Sequence, residues 1–175
     1  MFTNPLFGGG LGSALLRVNN LPSNQNLQIL ANAQNVVRLN PNNGVNGGGF
    51  QLANSSGNFG TSGETFRFRI ITFHSTPTST NSGEYGLQKG IVSSGGSGGF
   101  VTGGGASLDN TASAMLSRET ADSGAQFPNI NKVFTVTPLS NDDGFGTGDS
   151  FRFQGLGDVS GLTPFNFKIE ILSRP

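Results

Sequence analysis

The chain has 175 residues, of which only 11% are charged, and ten acidic and ten basic residues give it a formal net charge of zero. Because nucleic acids and anionic membranes attract proteins through an excess of basic charge, this balance argues against both as partners. The absence of cysteine excludes disulfides and thiol chemistry, and no apolar run reaches the roughly 18 residues that a membrane-spanning helix needs.

The first twelve residues, MFTNPLFGGGLG, are predicted to form a flexible arm (residues 1–12) before a single folded domain (residues 13–175). Four apolar residues precede the three glycines, and such side chains favour burial. The arm either folds back onto its own domain or docks on a neighbouring subunit. The candidate interface residues are Phe2, Pro5, Leu6 and Phe7. No basic segment of a signal peptide precedes them, so synthesis in the cytoplasm is expected.

Clusters of Gly, Asn and Ser recur about every ten residues and separate short stretches in which apolar and polar residues alternate. This rhythm predicts an all-β fold, an antiparallel β-sandwich of jelly-roll-like form with long Gly/Asn/Ser-rich loops. At most one short helix is expected, over residues 108–120, where an irregular crossover fits equally well. Strands are predicted at residues 14–18, 27–30, 36–39, 50–53, 66–73, 85–92, 133–137, 151–156 and 165–171.

Two stretches are nearly the same: FGTSGETFRFR at residues 59–69 and FGTGDSFRFQ at residues 145–154. The similarity extends over residues 50–71 and 134–156, and we interpret the two units as equivalent hairpins in the two halves of one sandwich. Alternation predicts that the phenylalanines of FRFR and FRFQ face the core and that the arginines face outwards. The inward residues would be Phe66, Phe68, Phe151 and Phe153, and the outward residues Arg67, Arg69 and Arg152.

No catalytic residue, cofactor site or metal site is predicted, and the chain is not expected to be an enzyme. The only histidine, His74, lacks a G-x-S-x-G nucleophile motif, so a hydrogen-bonded or solvent-facing role is expected. Paired carboxylates for glycoside hydrolysis would have to come from Glu64, Asp142, Asp143, Asp149, Asp158 and Glu170. The loop with Asp142, Asp143 and Asp149 fails the EF-hand spacing and is predicted to be a turn, with calcium binding left open.

Small size, low charge, no Cys or Trp, abundant Gly, Asn, Ser and Thr, and an apolar arm together resemble virion surface proteins of tailed bacteriophages. Capsid cement or decoration proteins are the nearest such group. The resemblance implies a non-enzymatic structural role at the capsid surface of the virion, as a homo-oligomer or in contact with major capsid protein subunits. The alternative is a carbohydrate-binding or cell-surface adhesion module, which exposed aromatic residues at Tyr85 and Phe100 would favour.

Overall fold

The architecture comes from a computed structural model that describes eleven segments of the chain. They are residues 11–21, 26–32, 36–39, 49–59, 65–74, 83–91, 113–117, 119–121, 126–137, 149–159 and 161–175. Within these segments the regular structure is entirely strand. The predicted interface residues Phe2, Pro5, Leu6 and Phe7 lie outside the described residues, and so do Glu64, Phe100, Asp142 and Asp143.

The strands form two antiparallel sheets that pack together. They are β1 (Ser13–Val18), β2 (Leu27–Asn32), β3 (Val37–Leu39), β4 (Phe50–Leu52), β5 (Phe66–Phe73), β6 (Gly83–Ile91), β7 (Ser113–Met115), β8 (Glu119–Ala121), β9 (Asn131–Val136), β10 (Asp149–Gly157) and β11 (Phe165–Ser173). The first sheet has the order β2-β1-β11-β5-β9, and the second has the order β3-β4-β10-β6-β7, with β8 also paired to β6. The predicted all-β sandwich is confirmed.

One set of strand pairs is nested along the chain, and in addition β5 pairs with β11 and β6 with β10. β1 pairs with β11, β4 with β10 and β5 with β9, while β6 pairs with the short strands β7 and β8. The chain therefore follows the course of one long hairpin folded across two sheets. The strand β2 adds an edge to the first sheet and β3 adds an edge to the second. The jelly-roll form of this sandwich stays a prediction.

Each of the nine predicted strands overlaps an observed strand. Of the two alternatives for residues 108–120, a short helix or an irregular crossover, the helix does not form in the part that the structure describes. Residues 113–115 and 119–121 are the strands β7 and β8. Both pair with β6, with Met115 opposite Gln88 and Glu119 opposite Tyr85. Hydrogen bonding to an existing strand therefore outweighs the weak helical spacing of this Ser- and Thr-rich segment.

Aromatic rings from the two sheets form a connected series through the core. The ring of Phe68 in the first sheet lies 5.2 Å from that of Phe151 in the second, which lies 5.5 Å from Phe50. Phe50 and Phe153 both contact Phe167 of β11, with centroids 5.6 and 4.7 Å away. All five side chains are buried. The inward direction predicted for the phenylalanines of the two repeated stretches is confirmed, and these rings join the sheets.

The two repeated units are not hairpins. The first contains β4 and β5, and the second contains β9 and β10, and in each unit the two strands belong to different sheets. Each unit thus crosses the sandwich. The units also interlock, because β4 of the first pairs with β10 of the second and β5 of the first pairs with β9 of the second. The similar sequences therefore mark two crossings that build the core jointly.

Candidate docking face

The outer side of the first sheet carries the large exposed side chains of its central strands. In β5, Phe66, Phe68, Ile70 and Thr72 are buried, so the intervening residues point away from the core. We call the outward side chains of β1, β5, β9 and β11 the open face. Its members include Leu15 and Arg17, Arg67, Arg69, Ile71 and Phe73, Val133, and Asn166, Lys168 and Glu170.

An apolar strip crosses one part of the open face. Phe73 is 50% exposed and Val133 is 39% exposed, and Ile71 is half-buried. Ile71 is two residues from Phe73 on the same side of β5, and Val133 is opposite Arg69, the next outward residue of that strand. Diagonal neighbours at this spacing are within reach of large side chains. The three residues therefore present one apolar surface to water, which is costly unless a partner covers it.

Two basic side chains, Lys168 and Arg69, border this strip. The register places Asn166 opposite Phe73, Lys168 opposite Ile71 and Glu170 opposite Arg69. Glu170 is the single acid of the open face, and it accepts ion pairs from Lys168 at 2.8 Å and Arg69 at 3.4 Å. The hydrogen bond from Lys168 is the main cause that holds the pKa of Glu170 below its ordinary value.

Four basic residues and one acidic residue give the open face a formal charge of +3. Arg17 donates a hydrogen bond from Nε to Oδ1 of Asn166 at 3.2 Å, so its guanidinium lies along the sheet. Arg67 is exposed at the far end of β5, and within the described part of the chain it has no ion-pair partner. The open face thus combines an apolar strip with uncompensated positive charge.

The outer side of the second sheet differs, because its polar side chains are buried. Four residues alternate with core residues and are nevertheless at most 5% exposed: Gln51, Gln88, Arg152 and Gln154. Arg152 donates from Nε to Oε1 of Gln88 at 2.8 Å. The prediction that Arg152 faces solvent is therefore wrong, although it does point away from the core. Desolvation by burial lowers the pKa of Arg152 to about 10.

Arg38 extends this buried polar row towards the sheet edge. It donates from Nε to Oε1 of Gln51 at 2.8 Å, and its guanidinium stacks 4.9 Å from the ring centre of Phe59. Phe59 forms an isolated bridge with Ala53, so the chain after β4 folds back onto this side. The second sheet is thus covered on both sides at its centre, and the first sheet is the one with a side open to a partner.

The only histidine belongs to a hydrogen-bonded cluster at one end of the sandwich. Tyr85 donates its hydroxyl hydrogen to the carbonyl oxygen of Pro128 at 2.6 Å, and its oxygen lies 3.2 Å from Oγ1 of Thr72. Nε2 of His74 lies 3.1 Å from the Tyr85 hydroxyl and 3.3 Å from the Pro128 oxygen. Burial raises the pKa of the Tyr85 phenol. These contacts fasten the segment before β9 to β5 and β6, which is a structural role.

The charge state of His74 is coupled to folding through its second ring nitrogen. The contact with the Pro128 carbonyl requires a hydrogen on Nε2, which leaves Nδ1 bare, and Nδ1 is buried without a hydrogen-bond partner among the described residues. Protonation would place an N–H there with no acceptor. Burial accordingly lowers the pKa of His74 below 6.5, although the Pro128 hydrogen bond opposes the shift.

Folding stability is therefore expected to fall as the pH drops below the ordinary His74 pKa of 6.5. Between that value and the lower folded-state pKa the unfolded chain binds more protons, so acid favours unfolding. We expect the free energy of unfolding, measured by urea denaturation, to decrease from about pH 7 to pH 5. His74→Gln keeps a donor near Tyr85 and Pro128 and should flatten this slope. If the His74→Gln variant showed the same pH dependence of the free energy of unfolding, the assignment of that dependence to His74 would be contradicted. Carboxylates such as Glu170 have a lowered pKa and so change charge at lower pH.

Other sequence-based candidates have structural explanations. Tyr85 is wholly buried, so it offers no surface for a sugar ring. Asp158 follows a strand of the second sheet and Glu170 lies on the open face, so they do not form one catalytic pair. No group of potential metal ligands occurs within the described segments.

The glycosylation pattern Asn54-Ser55-Ser56 lies in a tight turn that occupies the asparagine side chain. Oδ1 of Asn54 accepts hydrogen bonds from the backbone N–H groups of Ser56 at 3.0 Å and Asn58 at 2.9 Å. Asn54 is buried, and Gly57 supplies the positive φ of 82° that the turn requires. The side chain therefore stabilises a turn and is inaccessible to a glycosyltransferase.

The sequence matches no model of a known protein family, and no curated protein is detectably similar to it. In the part of the chain that the structure describes, there is no helix of the length and apolarity required to cross a membrane. What the fold and the candidate site define is a β-sandwich with one open face. The open face was not predicted from the sequence, although alternation in residues 66–73 already places Phe73 on the same side as Arg67 and Arg69.

Proposed function

We propose that this protein is a non-enzymatic structural subunit of a larger assembly. The observation that carries the proposal is the open face, where Phe73, Ile71 and Val133 present an apolar strip on the outer side of a sheet. Singly scattered apolar residues are common on protein surfaces, but a contiguous strip on a sheet marks a contact site. Since 11% of residues are charged, the surface also resists association weakly.

Within this class, we propose a capsid decoration or cement protein of a tailed bacteriophage as the specific role. The nested strand pairs support a jelly-roll form, an architecture common in viral capsid proteins. The open face would dock on neighbouring subunits at the virion surface, and stable contacts of this kind bury roughly 1,200–2,000 Å². The arm residues Phe2, Leu6 and Phe7 would add to that contact.

Co-sedimentation with purified shells tests this role. If the gene lies beside a capsid gene, shells assembled from that capsid protein are the probe. We expect the full chain to sediment with them, and Phe73→Ser to weaken binding at least about tenfold, because it removes a central apolar anchor. Leu30→Ser is the matched control, since Leu30 is 41% exposed on the edge strand β2, three strands away from β5 in the same sheet. A full chain that neither binds shells nor associates with other subunits would overturn the proposal.

A glycan-binding module is the second candidate, and Phe73 is the observation that favours it. An aromatic ring exposed on the outer side of a sheet, with the amide of Asn166 opposite, resembles the stacking platforms that bind sugars. A glycan array separates the two functions. Binding that is lost in Phe73→Ser, together with no binding to shells, would favour the glycan module over the structural subunit.

A further inference from the structure

The arm joins the folded domain within the sheet that carries the open face. The backbone N–H of Ile171 donates a hydrogen bond to the carbonyl oxygen of Gly12 at 3.0 Å, and Leu11 packs against the core. Ser13, which follows Gly12, begins β1 and is opposite Glu170 of β11. These contacts fix the point from which residues 1–10 leave the domain, and that point lies beside the open face.

The apolar strip is within reach of the arm in the same molecule. Val133 is three strands away from Ser13 in the same row, and Phe73 is two strands away and four residues further along the sheet. With strands about 4.8 Å apart and a rise of about 3.4 Å per residue, these positions lie about 14 Å and about 17 Å from Ser13. Phe7 is six residues before Ser13, and six extended residues span about 20 Å. Phe7 and the residues before it can therefore contact the strip.

The composition of the arm suits this part of the open face. Residues 1–10 contain three large apolar side chains, Phe2, Leu6 and Phe7, and no charged side chain. A second open face would instead bring its positive charge against that of the first, and like charges in an interface are unfavourable. A tethered segment also has an effective concentration of about millimolar order, which a separate partner in dilute solution lacks. The arm of the same chain is therefore the favoured occupant of the strip.

We propose that residues 1–10 cover the apolar strip of their own open face in the free subunit, and that a docking partner displaces them. Covering the strip keeps apolar surface out of water before assembly, in a chain whose few charges resist association weakly. Displacement frees Phe2, Leu6 and Phe7 for the wider contact with the partner. This inference rests on the proposed structural role, because it states what occupies the docking site until a neighbouring subunit binds.

Disulfide trapping tests the contact, because the chain has no cysteine of its own. Asn4→Cys places a thiol between the apolar residues of the arm, and it is combined either with Asn131→Cys or with Gln28→Cys. Asn131 is opposite Ile71 and so lies beside the strip, whereas Gln28 is opposite Arg17 on the edge strand β2. Both residues are exposed on the outer side of the first sheet, which makes them a matched pair.

The expected result is a preference for the site beside the strip. Gln28 is about 14 Å from Ser13 and Asn131 is about 16 Å from it, so a freely moving arm would reach Gln28 at least as readily. If the arm occupies the strip, Asn4→Cys/Asn131→Cys should form its intramolecular disulfide in glutathione buffer at least about tenfold faster than Asn4→Cys/Gln28→Cys. The rates are compared after correction for the reactivity of each single thiol. Equal rates overturn the inference, and so do disulfide-linked dimers, which would place the arm on a second copy.

Removal of apolar side chains from the arm gives an independent test in the full chain. Leu6→Ser/Phe7→Ser should abolish the preference for Asn131 and raise the fluorescence of a dye that binds exposed apolar surface at least about twofold. Phe73→Ser in the same background should reduce that increase, because it deletes part of the strip. An unchanged dye signal in Leu6→Ser/Phe7→Ser overturns the inference. Circular dichroism of each variant checks that the fold persists.

The inference and the structural role can fail separately, because trapping and dye binding are measured on the isolated chain. Equal trapping at Asn131 and Gln28, together with sedimentation on shells, would overturn the inference and leave the structural role standing. Preferential trapping at Asn131 in a chain that neither binds shells nor associates would overturn the structural role while supporting the contact of the arm with the strip.

Discussion

Replacing Phe68 by alanine is expected to lower the free energy of unfolding by about 3–5 kcal/mol. Phe68 is fully buried and connects the sheets, since its ring lies 5.7 Å from Phe134 of the neighbouring strand and 5.2 Å from Phe151 of the opposite sheet. Removing it deletes a large apolar group and leaves a cavity that both sheets border. Urea denaturation of the variant measures the loss, and an unchanged m-value shows that unfolding stays two-state.

Phe73→Ala is the matched control, because it makes the same change five positions later in the same strand. Phe73 is 50% exposed on the open face, so its truncation should change the free energy of unfolding by no more than about 0.5 kcal/mol. The two variants should differ in the opposite way in their association with other subunits. Phe73→Ala should weaken association, whereas Phe68→Ala should lower the free energy of unfolding without removing any side chain of the open face. Equal losses of stability in the two variants would contradict the assignment of inward and outward sides in β5.

The strands and their inward faces are predictable from sequence because alternation is a local property. Apolar and polar residues alternate strictly in residues 165–171 and in residues 66–70, and in both stretches the residues predicted to face inwards are buried. In the described part of residues 108–120, the alternative of a short helix fails for the converse reason. Its local pattern carried little information, and pairing with β6, which is distant in sequence, decided its structure.

What covers the outer side of a sheet is not encoded in the alternation of its own strands. Arg67 and Arg152 occupy matching positions in the two repeated stretches, yet Arg67 is exposed and Arg152 is buried, with 5% of its surface exposed. The difference arises from the rest of the chain, which buries the outer side of the second sheet. For the same reason the repeat could not show that its two units cross between sheets, since sequence similarity does not specify strand partners.

Tyr85 shows how a candidate binding residue is misjudged from composition. As the only tyrosine it was considered for an exposed platform, but it alternates with Leu87 and both face the core. Its hydroxyl is accommodated there because Pro128 and Thr72 supply partners. Among the residues that the structure describes, the exposed aromatic side chain is that of Phe73, which lies at the end of a strand whose other phenylalanines are buried.

Gly155→Ala is expected to destabilise the fold by about 1–3 kcal/mol, because the added methyl group overpacks the core. A Cβ at this position would lie 2.8 Å from Cγ2 and 3.5 Å from Cβ of Val159, a buried side chain that cannot rotate clear. A β-bulge does not account for the glycine, because β10 pairs with β6 through Gly155 without a register shift.

Truncation of the neighbour separates this steric cause from a general loss of strand stability. In the background of Val159→Ala the two Cγ atoms are absent, so Gly155→Ala should cost at least about 1 kcal/mol less than in the wild-type chain. Gly83→Ala is the comparison, since its Cβ would meet the backbone oxygen of Asp158 at 2.6 Å, an atom that no side-chain truncation removes. Its cost should be relieved less by Val159→Ala. If urea denaturation showed that Val159→Ala reduces the cost of both glycine substitutions equally, Val159→Ala would be acting by loosening the backbone. The specific contact between residues 155 and 159 would then be rejected.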